Sequence, residues 1–151
     1  MTGKARHRRV VTGLNASGKS CILEDGPIPA TSVMGGIAWR TEGHPADNSA
    51  QEAIAPEAFA FDMMNRGTIF MVNEFPPDMD VFWHVTDTID YIVMLEGEVV
   101  LMLENGEVTL RKGDCIVDRG VNHAWRNDSG ATAVSAIVTI PAKPVGKGRS
   151  V

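Results

Sequence analysis

The chain has 151 residues, enough for one domain whose core needs no covalent staples. Its 44% hydrophobic and 22% charged content is ordinary for a globular protein, and a net charge of −5 argues against a nucleic-acid surface. No apolar run approaches the roughly 20 residues of a membrane span, no apolar stretch follows the basic start to make a signal peptide, and Cys21 and Cys115 are too few for a disulfide framework, so the expectation is a reduced, cytoplasmic protein.

Positive charge gathers at the two ends, as Lys4, Arg6, Arg8 and Arg9 and then Lys143, Lys147 and Arg149; residues 1–9 and 142–151 read as solvated tails. Gly13–Ser20, "GLNASGKS", matches the G-x-x-x-x-G-K-S of a phosphate-binding loop letter for letter. That chemistry needs a helix whose N-terminus faces the phosphates. Asp25-Gly26-Pro27 and Pro29 forbid one here. "RRVV" and "CIL" read instead as two short strands joined by a polar turn, and no nucleotide is expected. Residues 31–56 read as irregular. "PEAFAFDMMNRG" is either a short helix starting at Pro56 or an extended segment, and its apolar side chains suit a lid or a dimer contact. Residues 10–66 thus form an N-terminal unit of strands and loop.

From Gly67 the pattern is clear. "TIFMVNEF" is strand-like up to Pro76, and "VFWHVTDTIDYIVML" continues in strands to Glu96-Gly97. Three short apolar runs follow, divided by Asn105-Gly106 and Lys112-Gly113; Asn-Gly is a hairpin signal because both residues tolerate positive φ. "NHAWRN" and "ATAVSAIVTI" close the series at Pro141. Strands at about ten-residue spacing, punctuated by 15 glycines, predict an all-β sandwich or barrel.

Within this unit His84, Thr86 and Asp90 share one strand face at a period of two, with Phe82, Ile92 and Met94, while His123 and Trp125 share another. Two histidines and a carboxylate on neighbouring strands are the facial set used for divalent metals that also bind substrate. Spacing alone leaves equally open that His84 and His123 are ordinary hydrogen-bonded barrel residues. The remaining inward positions describe an apolar pocket with few charges, suited to an apolar or aromatic oxygenated molecule, with Trp125 placed to stack on it. Asp118 reads as a turn cap, Cys115 as a small core residue, Tyr91 as outward-facing, and His44 as a solvent-facing loop residue.

"HVTDTIDYIVMLEGEVVLMLENGEVTLRKGDCIVDRGVNHAWRN" resembles the two-motif core of a small single-domain cupin. His84, Thr86, Asp90 and Gly97 stand at the fixed positions of H-x-H-x(3,4)-E-x(6)-G, and Gly113, Gly120, His123 and Asn127 at those of the second motif. The segment before it is similar, more loosely, to the N-terminal extension of a bacterial and fungal subgroup. The resemblance implies a double-stranded β-helix (jelly-roll) barrel over 67–141. It also implies a divalent metal (Fe, Mn, Zn or Ni) on His84, Asp90 and His123, a small-molecule substrate, and a homodimer built on the N-terminal strands. Thr86 replaces the usual second histidine and is a poor ligand, Asp90 replaces glutamate, and Asp118 replaces proline. The function so implied is a lyase or isomerase of dehydratase or cyclase type, with His84, Asp90 and His123 catalytic and Phe82, Thr86, Ile92, Met94 and Trp125 lining the pocket. An Fe(II)-dependent dioxygenase and a non-catalytic ligand-binding cupin are the alternatives.

Overall fold

Alternating strand patterns and glycine turns resolve into ten strands in the structure, a computed structural model that describes residues 7–49 and 57–151. Lys4, Arg6 and the helix start placed at Pro56 lie outside the described residues. In chain order the strands are β1 (Arg8–Leu14), β2 (Ser20–Pro27), β3 (Gly35–Arg40), β4 (Ile69–Phe75), β5 (Thr88–Glu96), β6 (Glu98–Leu103), β7 (Gly106–Arg111), β8 (Cys115–Asp118), β9 (His123–Arg126) and β10 (Ala133–Pro141), with a 3₁₀ turn at Phe61–Asn65 before β4. A five-stranded sheet in the order β3-β4-β10-β5-β8 faces a three-stranded sheet in the order β7-β6-β9, and β1 and β2 form a separate hairpin. All the pairings are antiparallel. This is the all-β double-stranded β-helix that the sequence implies. No helix among the described residues is long and apolar enough to cross a membrane.

The core fills the space between the sheets because each strand turns alternate apolar residues inward. Ile37, Met64, Ile69, Met71, Ile92 and Ile137 form one cluster, joined from the 3₁₀ turn by Met63. Phe75, Met94, Val99, Leu101, Leu110 and Ala133 form a second, and Ile116 and Trp125 pack against both. At roughly 1.5–3 kcal/mol per buried side chain, these clusters dominate the stabilisation.

Gly13–Ser20 closes the β1–β2 hairpin, with no helix after it. The Asn15 side-chain carbonyl accepts from the N–H groups of Ser17 and Lys19 at 2.9 and 3.0 Å, and Gly18 takes φ +71°. Five expectations are corrected. The irregular segment 31–56 contains a strand, β3, which the Gly and Pro content around it concealed. Residues 81–87 are not a strand; β5 begins at Thr88, and only His84 makes a bridge before it. Cys115 opens β8 on its outer face and is exposed rather than part of the core. The β6–β7 turn needs positive φ at Gly106 alone, not at Asn105. Arg8 and Arg9 belong to β1, where they pair with Asp25 and Glu24 across the hairpin.

Gly120, between β8 and β9, has φ +70°, and a Cβ there would lie 2.3 Å from the Thr86 carbonyl oxygen and 2.8 Å from that of Thr88. Gly130 has a similar φ of +76° but open space around it. Gly130→Ala is expected to cost about 1 kcal/mol for the backbone conformation alone, and Gly120→Ala roughly 3 kcal/mol or more. Urea unfolding of the two variants measures the difference; equal costs would contradict the close approach at Gly120.

Candidate active site

His123 opens β9, and His84 reaches it from the segment before β5. The two residues exchange both backbone hydrogen bonds, His84 N–H to His123 O at 3.0 Å and His123 N–H to His84 O at 3.1 Å. Directly opposed residues of an antiparallel pair point to the same face. The imidazoles accordingly lie side by side, with ring centroids 4.3 Å apart. The Nδ1 of His84 is 3.1 Å from the Phe82 carbonyl and that of His123 is 2.8 Å from the Val121 carbonyl. A carbonyl only accepts, so in its neutral form each ring carries its hydrogen on Nδ1 and keeps a lone pair on Nε2. Neither Nε2 bonds to a described residue. Burial, and then the neighbouring His123, hold the His84 imidazolium pKa below its ordinary value, which favours the neutral ring at pH 7.

Two carboxylates stand behind the rings. Asp118 caps the turn as expected, accepting from Gly120 N–H through Oδ1 at 2.9 Å. Its Oδ2 also lies 3.1 Å from His123 Nδ1, with the side chains of Asp118 and His123 only 2% and 4% exposed. That second role has no periodic signature in sequence and is added by the fold. Asp90, on β5, sits in register with Asp118 on β8 and Thr139 on β10. It is 7% exposed, and its Oδ1 has no partner among the described residues. Burial pushes its pKa up to about 7; the Thr88 hydroxyl opposes this and Asp118 adds to it.

A cavity of about 320 Å³ opens over these groups. Six of the expected site residues line it: Phe82, His84, Asp90, Ile92, His123 and Trp125. Two do not. Thr86 is buried beside β5, accepting a hydrogen bond from the Thr88 hydroxyl at 2.9 Å, because the chain is not a regular strand there. Met94 faces inward but lies too deep, 1% exposed in the cluster around Phe75. Sequence reasoning missed the lining contributed by Met34, Asn73 and Thr139. Phe59 and Phe61, in the segment read as suiting a lid or a dimer contact, also reach the cavity. His44 stays in an exposed loop against Thr68, and Tyr91 points outward.

The Nε2 pair suits two positions of a divalent metal, but the donor set stops there. Among the described residues, no group of three or more His, Cys, Asp or Glu side chains is arranged to hold one ion. The expected trio of His84, Asp90 and His123 therefore does not fit a three-ligand centre: Asp90 is a short carboxylate in register with Asp118, and Thr86, at the place of the usual fourth donor, is turned toward Thr88.

The buried Asp90 sets a pH dependence. Its folded-state pKa lies above the ordinary aspartate value, so its contribution to stability is complete below about pH 4 and is lost as pH rises toward 7. Asp90→Asn removes this loss. The stability of wild type relative to Asp90→Asn is expected to fall with rising pH between 4 and 7, by at most about 1.4 kcal/mol per pH unit, and to level off above. Urea unfolding at pH 4.5, 6 and 8 checks the slope; a gap independent of pH would show that Asp90 ionises normally.

The model of the cupin domain matches residues 71–140, which span β4 to β10 and the whole site. Phomopsin biosynthesis cluster protein D of Diaporthe leptostromiformis is 34% identical, over 91% of this chain and 79% of its own length. A cupin-domain-containing oxidoreductase of Neurospora crassa is 29% identical, over 81% of this chain and 67% of its own. A solved cupin with a double-stranded β-helix fold from Methanocaldococcus jannaschii is 16% identical, with a TM-score of 0.46 over 49% of this chain and 70% of that one. With its strands, its two motifs and its relatives in agreement, this chain belongs to the cupin family.

Proposed function

We propose that the protein is an acid–base lyase or isomerase of the dehydratase or cyclase type, acting on an apolar or aromatic oxygenated small molecule. The observation that carries this reading is the pair of imidazoles whose Nδ1 atoms face backbone carbonyls and whose rings line an apolar cavity with no Lys or Arg among its described wall residues. A base must be deprotonated and unencumbered at working pH; no described residue bonds Nε2 of either ring, and burial favours the neutral form of His84. In this reading His123 removes a proton next to a substrate carbonyl, and Asp118 beside its Nδ1 stabilises the imidazolium that forms. Asp90, with a pKa near 7, is matched to return a proton to a departing hydroxyl or to another carbon. Loss of the hydroxyl gives elimination; reprotonation at carbon gives isomerisation.

Turnover measured across a panel of β-hydroxy carbonyl and phenolic compounds tests the reading. Activity is expected to survive chelator treatment and to fall on the order of 10²-fold or more in His123→Ala, with a smaller loss in Asp118→Asn. Activity unchanged in His123→Ala would end it. The oxidoreductase names of relatives such as the Neurospora crassa protein favour a second reading, an Fe(II)-dependent oxygenase, which oxygen uptake strictly dependent on added Fe(II) would select.

The assembly we propose is a homodimer through the β1–β2 hairpin, whose Val10, Ile22 and Leu23 side chains are exposed. Light scattering after gel filtration is expected to give the mass of two chains for wild type and of one for Ile22→Asp. An unchanged dimer in that variant would place the interface elsewhere.

A further inference from the structure

A neutral imidazole has one hydrogen-bond donor, and in this cavity both are already spent on backbone carbonyls, Phe82 O for His84 and Val121 O for His123. What each ring offers is an acceptor. With centroids 4.3 Å apart, the two Nε2 acceptors cannot satisfy one another. Asp90 Oδ1 and Thr139 Oγ1, in register on neighbouring strands of the same wall, also lack partners among the described residues. The surroundings of the two rings are therefore rich in acceptors, the described wall holds no Lys or Arg, and Asp80 and Asp90 are its carboxylates, with donors left to the Asn73 amide and the Thr31, Ser32 and Thr139 hydroxyls.

Beside the two imidazoles the wall carries aromatic rings, set among Met and Ile side chains. Phe82 stacks on His84 at 5.3 Å with an interplanar angle of 18°, and Phe61 sits 5.3 Å from the same ring. On the other side Trp125 meets His123 edge-on at 5.9 Å and packs 5.3 Å from Phe75. Aromatic walls select flat partners through offset and edge-to-face contacts beyond simple area burial. A volume of about 320 Å³ lies at the small end for ligand sites, room for one or two fused rings.

We propose that the cavity takes an uncharged, flat aromatic alcohol, a phenol of one or two rings, whose hydroxyl donates to Nε2 of His84 or His123 while its ring packs among Phe61, Phe82 and Trp125. This deepens the acid–base reading above and rests on it for treating the cavity as a substrate site. A carboxylate or phosphate would bring negative charge to a wall that carries carboxylates and, among the described residues, no Lys or Arg. An aryl ether would set one more acceptor against two.

Isothermal titration of the full chain at pH 7.5 with 2-naphthol, 2-methoxynaphthalene and 2-naphthoate tests the assignment. The naphthol is expected to bind one to one and about tenfold tighter than the ether, the difference one hydrogen bond makes, with the naphthoate no tighter than the ether. A variant carrying His84→Phe and His123→Phe, which keeps the rings and removes both acceptors, is expected to bring naphthol and ether within about twofold. Equal binding of naphthol and ether to wild type overturns the proposal, whether or not the variant folds. So does tighter binding of the naphthoate, or stoichiometric Mn(II) binding that displaces the naphthol. Preferential naphthol binding without turnover of any hydroxylated aromatic upholds the assignment and counts against the acid–base reading. Turnover of a non-aromatic substrate without naphthol preference does the reverse.

Discussion

The two backbone hydrogen bonds between His84 and His123 turn this barrel into a site. They tie the segment leading into β5 of the larger sheet to the start of β9 in the smaller one. Because the residues are directly opposed, their side chains emerge together on the cavity face. Each ring then turns Nδ1 to the carbonyl two residues earlier in its own chain segment, Phe82 for one and Val121 for the other. The same short-range geometry used twice fixes the same tautomer twice. What the two imidazoles in their neutral form offer a ligand, two lone pairs and no donor, descends from that one pairing.

Much of the barrel was legible because its signals are local. Asn105-Gly106 and Lys112-Gly113 mark turns by backbone conformation, and the runs from Ile69 to Ile140 alternate as half-buried strands do. The inward placement of Asp90, Ile92 and Trp125 follows from period two alone. What stayed hidden was decided by distant partners. β3 lies within a Gly-rich and Pro-rich stretch and is a strand only because β4 offers it an edge. Thr86 obeys the alternation but sits where the chain leaves strand geometry, so its side chain meets Thr88 and not the cavity. Cys115 shows the limit of an apolar run: in a sheet with one solvated face, half of such residues point outward. Asp118 announced itself as a turn cap and is one; its contact with His123 depends on how β8 meets β9 and has no one-dimensional trace.

The two carboxylates are in register on adjacent strands yet occupy different surroundings. Asp118 finds Gly120 N–H and the His123 ring, whereas Asp90 has only the Thr88 hydroxyl to oppose its burial. Burial without full satisfaction costs about 1–3 kcal/mol per polar group, and Asp90, Asp118, Thr139 and Ser135 all carry such atoms. The core clusters on either side offset that cost, and the result is a wall of polar groups concentrated where Asp90 and Thr139 meet the cavity.

His84 poses the remaining structural problem, since a residue outside any strand must hold its ring as firmly as one within a sheet. Residues 85–87 are clasped from both flanks. On one flank, the exposed C-terminal segment folds back: Val85 N–H donates to Ser150 Oγ at 2.9 Å, Ser150 N–H to Val85 O at 3.0 Å, and Arg149 N–H to Asp87 Oδ1 at 2.8 Å. Ala142 N–H, just past β10, donates to Asp87 O at 2.9 Å. On the other flank Gly120 packs its bare Cα against the carbonyls of Thr86 and Thr88, where no larger residue fits. The basic end of the chain is therefore solvated in its side chains and structural in its backbone. A site needs its supporting contacts to hold side chains within fractions of an ångström, and here those contacts come from three separate parts of the sequence: the glycine after β8, the start of β9, and the segment beyond β10.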